Sequence, residues 1–275
     1  MTQSKEFPQY LWMPPRSYTK GRVSSAYPDV IFIHTTEGSE GRSSAEDGAS
    51  YDQRRTDGTS THFFVDQDST VQCVLTSDEA HAARTHGNDK GIQIEVCGKA
   101  GQSATQWADA ASLGAIDQAA GVAVAIRKKY GKARFPLINL TATQLRAGQN
   151  GFAEHKDATY AWPEDDGTHT DPGPNFPWGL LFSLITQKEQ EANVQKSHPN
   201  LPLEGLTIPS VKYGDRDTDF GGYDIISRLQ KVIGVTADGI YGDDTAARVQ
   251  AIVKKGDGKL VDLDDWMVIY GLSRV

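Results

Sequence analysis

A short, uninterrupted apolar run constrains the fold of this chain more than any other feature of its sequence. The run 30–33 reads Val-Ile-Phe-Ile, all residues that favour β-structure. A continuous rather than alternating apolar pattern indicates a strand that is buried on both faces. We therefore expect an inner strand of a covered sheet, with His34 at its carboxyl end.

Further strands are predicted after this run. The segments 61–65 and 70–75 are apolar-patterned and are separated by Asp-Gln-Asp-Ser, which predicts a β-hairpin. In the run 91–97, apolar and polar residues alternate, so Glu95 is expected on the face opposite the isoleucines and the valine. A carboxylate in the middle of a strand needs a reason, because β-propensity disfavours it.

Helices are predicted between and after these strands. Residues 107–130 carry apolar residues at helical spacing, and 141–144 resembles a capping box. A last helix is expected from about 177 to 185, whereas the Ser/Gly/Asp-rich segment 37–58 is predicted to be a long loop. This order indicates an α/β domain with a mixed central sheet flanked by helices.

The sequence changes character after residue 186. Residues 187–210 are polar and contain three prolines, which is typical of an interdomain linker. The segment 211–275 then shows two apolar stripes at helical spacing around a Gly-punctuated turn at 237–242. We therefore predict a first domain over 1–186, a linker, and a small helical domain over 211–275.

Composition excludes several classes of protein. The formal net charge of −8 argues against nucleic acid as the main partner, which requires a basic surface. No segment approaches the length of a membrane span, and the N-terminal residues contain no apolar run typical of a signal peptide. We therefore expect a cytoplasmic protein, or one exported by a route that the sequence does not show. The two cysteines, Cys73 and Cys97, are too few for a disulfide scaffold and are expected to be buried thiols.

Four residues are candidates for a metal site: His34, His155, His169 and Asp171. Catalytic zinc is held by three His or carboxylate ligands, which leave a fourth position for water. Zinc lowers the pKa of that water to about 7 and makes it a nucleophile at neutral pH. Spacing alone, however, favours the structural interpretation, in which a lone histidine at a strand end is a core or surface residue.

Six segments carry a resemblance to a known family. They are VIFIHTT (30–36), THFFVDQD (61–68), HAA (81–83), NDKGIQIEV (88–96), GFAEHKD (151–157) and HTDPGPNFPW (169–178). In this order they resemble the type-2 N-acetylmuramoyl-L-alanine amidases, which include phage lysins and share their fold with peptidoglycan-recognition proteins. The resemblance covers roughly 28–185, and its strongest parts are the strand ending in His-Thr and the Asp-Pro-Gly-Pro segment.

The resemblance implies a role for each site residue. It implies His34, His155 and Asp171 as zinc ligands, and Glu95 as the general base that passes a proton to the leaving amine. Many members carry Lys two residues before the ligand Asp, where this chain has His169. His169 would stabilise the oxyanion. In the alternative, His169 is itself a ligand, and Asp171 does not contact the metal but interacts with a ligand.

The segment 211–275 resembles the three-helix peptidoglycan-binding domain of wall hydrolases. The resemblance is carried by Ile-Ser-Arg-Leu-Gln at 226–230, Asp-Gly-Ile-Tyr-Gly at 238–242, and Thr245. The later part, 255–262, departs from the family pattern because it has no second clear Asp-Gly-x-x-Gly turn.

Together the resemblances imply a zinc-dependent amidase that cuts between N-acetylmuramic acid and L-alanine in peptidoglycan. Its partner would be the bacterial wall, with no nucleic acid and no membrane, and we expect a monomer. An anchored amidase without a visible export signal suggests a phage endolysin that stays in the host cytoplasm until release. Two alternatives remain: a peptidoglycan-binding protein that has lost catalysis, and a cytoplasmic amidase that recycles soluble muropeptides.

Overall fold

The computed structural model describes residues 2–23, 27–165 and 167–197, together with 211–212, 243 and 260–261. The chain divides into two compact units, Met1–Ser197 and His198–Val275. The sheet and the helices discussed below all belong to the first unit. None of the helices in the described ranges is both long and apolar enough to cross a membrane.

The first unit is built on a mixed sheet of seven strands. They are β1 (Thr2–Gln3), β2 (Leu11–Trp12), β3 (Val30–Thr35), β4 (Phe63–Val65), β5 (Thr70–Gln72), β6 (Gly91–Val96) and β7 (Gly151–Glu154). Their order across the sheet is β1-β2-β5-β4-β6-β3-β7. Strands β4, β6, β3 and β7 run parallel, and β4 and β5 form the predicted antiparallel hairpin. As its apolar run predicts, β3 lies inside the sheet with a neighbour on each side.

Six α-helices within the described ranges accompany the sheet. They are α1 (Ser44–Arg54), α2 (Arg84–Lys90), α3 (Ala110–Tyr130), α4 (Ala142–Arg146), α5 (His155–Ala161) and α6 (Trp178–Ser197). Helix α3 begins later than predicted because Asp109 caps it by accepting a hydrogen bond from the Ser112 amide. The capping box predicted before α4 is confirmed, since Thr141 and Gln144 bond reciprocally.

The two faces of the sheet bury separate apolar clusters, because successive side chains of a strand point in opposite directions. Ile31 and Ile33 of β3 pack with residues of α3 and α6. Val30 and Phe32 pack with residues of α4 and α5 on the other face. Together with α1, which covers Phe64 of β4 on that second face, these helices enclose the sheet. The predicted α/β fold with a mixed, helix-flanked sheet is confirmed.

The prediction of a long loop over 37–58 is wrong, because this segment contains α1. Ala45 is fully buried, and its backbone amide donates to the Asp66 carboxylate at 3.0 Å. Gly48 lies so close to the Phe64 ring that a Cβ there would come within 2.9 Å of it. Small residues let this helix pack closely on the sheet, and they leave no stripe of large apolar residues by which the sequence would reveal a helix.

Helix α6 continues to Ser197, beyond the domain end predicted at residue 186. In this extension, Glu189 accepts a hydrogen bond from Arg127 Nε at 2.8 Å and lies 2.8 Å from Lys132 Nζ. Arg127 is itself buried on α3. The polar composition that indicates a linker from 187 therefore belongs, as far as Ser197, to a helix attached to the first unit.

The predicted helical domain over 211–275 lies almost entirely outside the described residues. Within it, β8 (Val211–Lys212) and β9 (Leu260–Val261) pair antiparallel. The three-helix architecture and its boundaries remain predictions.

Candidate metal centre

The carboxyl ends of two neighbouring parallel strands bring the candidate ligands together. His34 is the second-last residue of β3, and His155 is the first residue of α5, directly after β7. Because β3 and β7 are adjacent and parallel, the two histidines reach the same edge of the sheet. This edge is where ligands of parallel sheets generally bind. Asp171 joins them from the loop before α6.

The three side chains converge on one point in the interior. Nδ1 of His34 lies 3.1 Å from Nδ1 of His155 and 3.1 Å from Oδ2 of Asp171. Nδ1 of His155 lies 3.3 Å from Oδ1 of Asp171. One ligand atom from each residue falls within 4.8 Å of the others, and all three residues are buried. Two imidazoles and a carboxylate form a donor set that zinc accepts, so the residues present fit this ion.

The turn after Asp171 depends on a close backbone approach. Gly173 has φ +90°, and a Cβ at this position would lie 1.9 Å from the carbonyl oxygen of Ala100. The carbonyl of Asp171 also accepts a hydrogen bond from the Lys156 amide at 3.2 Å, at the start of α5. The Asp-Pro-Gly-Pro segment is thus held from both sides, and this fixes the Asp171 carboxylate opposite the histidines.

Glu95 lies beside the cluster on the neighbouring strand. It pairs with His34 in the register of β6 against β3, so the two side chains share a face of the sheet, as its alternation predicts. Its Oε2 atom is buried and has no hydrogen-bond partner among the described residues. Burial raises the pKa of Glu95 to about 7, and His34 opposes part of that rise. A carboxyl group with this pKa takes up and releases protons near neutral pH.

His169 lies at the open side of the cluster. Its ring stacks on the His155 ring with centroids 3.9 Å apart, and its Nδ1 lies 3.7 Å from Oδ1 of Asp171. The side chain is 45% exposed, in contrast to the buried His34, His155 and Asp171. Partial burial and the charge of Arg84 lower its pKa, although Asp171 opposes them.

The three residues of the cluster hold different charges. Burial lowers the pKa of His34, but the hydrogen bond with Asp171 and the nearby carboxylates outweigh it and raise this pKa to about 9. Burial lowers the pKa of His155 to about 4. Burial raises the pKa of Asp171, but the two histidines more than offset this and keep the carboxylate ionised.

Sequence reasoning missed the layer that supports His34. Gln93 is completely buried, and its Oε1 lies 2.9 Å from Nε2 of His34. Beneath it, His62 Nδ1 accepts a hydrogen bond from the Gln93 amide at 3.0 Å. The alternation in β6 places Gln93 on the same face as Glu95, and this is the one signal that could have indicated its role.

The other histidines and the cysteines take no part in the cluster. His62 is buried and neutral under the site, since burial holds its pKa well below the usual value. His81 bonds to Thr19 and Gly58, and exposed His86 stacks on Trp162. Cys73 and Cys97 are buried free thiols, as predicted. His198 lies outside the described residues.

A family match decides the relationship of this chain to known proteins. Residues 24–174 match the family Amidase_2, N-acetylmuramoyl-L-alanine amidase, and this range is more than half of the 275 residues. The chain belongs to this family. It is therefore an N-acetylmuramoyl-L-alanine amidase, and its substrate is peptidoglycan. The matched range contains His34, Glu95, His155, His169 and Asp171.

Several solved structures are similar to this amidase. The Staphylococcus aureus hydrolase AmiA in complex with its ligand is 17% identical at a TM-score of 0.50, over 70% of this chain and 88% of that one. An AmpD derivative is 19% identical at 0.46, over 67% and 99%. The amidase LysC from Clostridium intestinale is 15% identical at 0.40, over 65% and 98%. No curated protein matches the chain.

Proposed function

We propose that this amidase is a zinc enzyme that hydrolyses the amide between the lactyl group of N-acetylmuramic acid and L-alanine. The observation that carries the proposal is the convergence of His34, His155 and Asp171, whose ligand atoms lie within 4.8 Å of one another. A zinc ion held there would polarise the amide carbonyl and supply a water of pKa near 7.

Glu95 is the proton carrier in this proposal. Its carboxylate is on the face of the sheet that carries His34, and its pKa of about 7 suits both directions of transfer. Glu95 takes a proton from the attacking water and delivers it to the nitrogen of L-alanine as the amide bond breaks. The proton balance closes within one turnover, because the base that accepts the proton also donates it.

His169 faces the developing oxyanion. Its stacking on His155 keeps the imidazole next to the ligand set, while its exposed edge is accessible to substrate. With a lowered pKa, it donates a hydrogen bond from a neutral ring at neutral pH. The alternative in which His169 replaces Asp171 as a ligand has less support. Asp171 lies 3.1 Å from Nδ1 of His34 and 3.3 Å from Nδ1 of His155, whereas the His169 side chain is 45% exposed.

The test combines metal content with release of new L-alanine amino termini from purified walls. The wild-type chain is expected to bind one zinc and to release the termini, and His34→Ala is expected to lose both. His86→Ala is the matched control, since His86 is exposed and bonded to Asp165 rather than to the cluster. A His34→Ala protein that keeps its zinc and its activity contradicts the proposal. Wall binding without release supports a recognition protein instead.

The biological role that we propose is that of a phage endolysin. The sequence motifs of 226–245 support a wall-binding domain, which raises the effective concentration of the enzyme at its polymer. Such an enzyme turns over intact sacculi faster than soluble muropeptides at equal bond concentration. A preference for soluble muropeptides indicates a recycling amidase and contradicts the endolysin role.

A further inference from the structure

We propose that Gln93 is a positioning residue for the metal. Its side-chain amide keeps the proton of a neutral His34 ring on Nε2, so that the lone pair of Nδ1 faces the ion. This inference rests on the proposed zinc function. It concerns a residue that the ligand set and the general base leave unassigned. The observation behind it is the pair of hydrogen bonds made by one fully buried amide.

The two bonds of Gln93 determine its orientation. Its Nε2 lies 3.0 Å from the carbonyl oxygen of Gly87, which can only accept. The Gln93 NH₂ group must therefore point at Gly87, and Oε1 must point at His34. Since Oε1 can only accept, Nε2 of His34 carries a proton and donates it at 2.9 Å. When the ring is neutral, this leaves the Nδ1 lone pair directed at His155 and Asp171.

The backbone of Gln93 is held as firmly as its side chain. Its amide donates to His62 Nδ1 at 3.0 Å, and its carbonyl accepts from Thr61 Oγ1 at 3.2 Å. His62 Nε2 in turn lies 3.1 Å from the carbonyl oxygen of Asp78. Each member of this layer is completely or almost completely buried. Gln93 therefore cannot turn its amide without breaking bonds that no water would replace.

The two ligand histidines differ in this respect. The outer nitrogen of His34 has Gln93 as its partner, whereas Nε2 of His155 is buried without a partner in the described part of the chain. A hydrogen-bond acceptor on the far side of a ligand histidine orients the ring and makes its other nitrogen a stronger ligand for the metal. Of the two histidines, His34 is thus the one whose orientation is set before the ion binds.

Two substitutions distinguish the hydrogen bond that Gln93 accepts from His34 from the space that its side chain fills. Gln93→Met keeps a side chain of similar length but removes both hydrogen bonds. Gln93→Glu loses the donor to Gly87 yet keeps an oxygen to accept from His34, the partner that zinc histidines commonly have. We expect the dissociation constant for zinc to rise by about 10- to 100-fold in Gln93→Met and to stay within about threefold of wild type in Gln93→Glu.

The matched control is Gln72→Met. Gln72 is a second fully buried glutamine of the same sheet, and its Nε2 likewise donates to a backbone carbonyl, that of Val74, at 3.1 Å. It bonds to Ser4 and Glu6 and has no contact with the ligand set. Its substitution is expected to lower the melting temperature without changing zinc affinity.

The experiment is competition titration of the full chain with zinc, together with the absorption spectrum of the cobalt-substituted protein. Weak zinc binding and an altered cobalt spectrum in Gln93→Met alone support the proposal. Wild-type affinity in a folded Gln93→Met, or equally weak binding in Gln93→Glu, overturns it. Should Gln93→Met not fold, Gln93→Glu still tests the proposal: zinc affinity more than about threefold weaker than wild type in that variant, with Gln72→Met unchanged, overturns it. A wild-type chain that binds no zinc overturns the proposed metal function as well, which distinguishes the two failures.

Discussion

Nδ1 of His34 and Nδ1 of His155 face each other across 3.1 Å in the protein interior. Two imidazole nitrogens at this distance hold one proton between them at most, and the neighbouring Asp171 carboxylate favours its presence. Without an ion, the raised pKa of His34, about 9, and the lowered pKa of His155, about 4, place that proton on His34. A metal ion bound as proposed would therefore compete with that proton for the same atom.

Zinc uptake is accordingly expected to release about one proton or more at pH 7.5. The pKa of His34 lies above this pH, so its ring is protonated in the metal-free chain and neutral once the ion is bound. Zinc affinity should thus increase with pH and level off above about pH 9. Calorimetry in two buffers of different ionisation enthalpy measures the number released. A value near zero at pH 7.5 contradicts this charge assignment.

Removal of zinc is expected to lower the melting temperature. An ion at 100 times its dissociation constant stabilises the folded state by about 2.7 kcal/mol. For a unit of this size, that corresponds to about 5–10 °C. Thermal unfolding with and without a chelator measures the shift. His34→Ala should show no chelator effect, whereas His86→Ala should show the full one, and a chelator effect in both would place the ion elsewhere.

Glu95→Gln is expected to lower kcat by about 10²- to 10⁴-fold while zinc content stays at one ion per chain. The amide cannot accept a proton, although it occupies the same space. In the wild type, activity should fall as the pH drops through about 7 or below, because Glu95 is then protonated and no longer a base. Because a bound zinc ion favours the ionised carboxylate, it is expected to move this fall in activity to lower pH. An acid limb that persists unchanged in the residual activity of Glu95→Gln contradicts the assignment.

Substitution of His169 tests the oxyanion role. His169→Ala removes a donor and is expected to lower kcat by about 10²-fold with little change in zinc affinity. His169→Lys supplies a fixed positive charge in place of a ring that is mostly neutral at neutral pH, since the pKa of His169 is lowered. Its activity should equal or exceed that of the wild type and depend less on pH. Loss of zinc from His169→Ala would instead indicate that His169 is a ligand.

Two glycines with positive φ provide a matched pair for stability. Gly131→Ala at φ +97° meets no atom within 4 Å, so it should cost only the strain of that conformation, about 1–3 kcal/mol. Gly173→Ala, at φ +90°, adds a collision with the carbonyl of Ala100 and should cost more. It should also weaken zinc binding, because Asp171 lies two residues away. Urea unfolding and zinc titration of both variants check this. If both variants change the zinc affinity equally, the turn after Asp171 has no specific role in metal binding.

Local patterns predicted β3, β4, β5 and β6, because burial of a strand is visible in its own residues, but they did not predict β1, β2 or β7. The continuous apolar run of β3 indicated an inner strand, and the alternation in β6 placed Glu95 on one face before any partner was known. The meeting of His34 and Asp171, 137 positions apart, has no such local signature. Family resemblance proposed them as ligands, and the parallel order of β3 and β7 explains how His34 and His155 meet.

The features that sequence analysis missed depend on contacts with other segments. Helix α1 packs through Ala45 and Gly48, whose small size is informative only beside the Phe64 ring. Gln93 is one polar residue among several in an alternating strand until Gly87 and His34 are placed at the two ends of its amide. Neither size nor polarity reveals such a partner in advance.

The extension of α6 affects how this enzyme can be divided into parts. A recombinant catalytic fragment that stops at residue 186 would omit Glu189 and leave the buried guanidinium of Arg127 without its carboxylate. An unpaired buried charge is costly, so such a fragment would be less stable for a reason unrelated to its active site. Fusions that replace the C-terminal segment are better joined after Ser197, the last residue of α6.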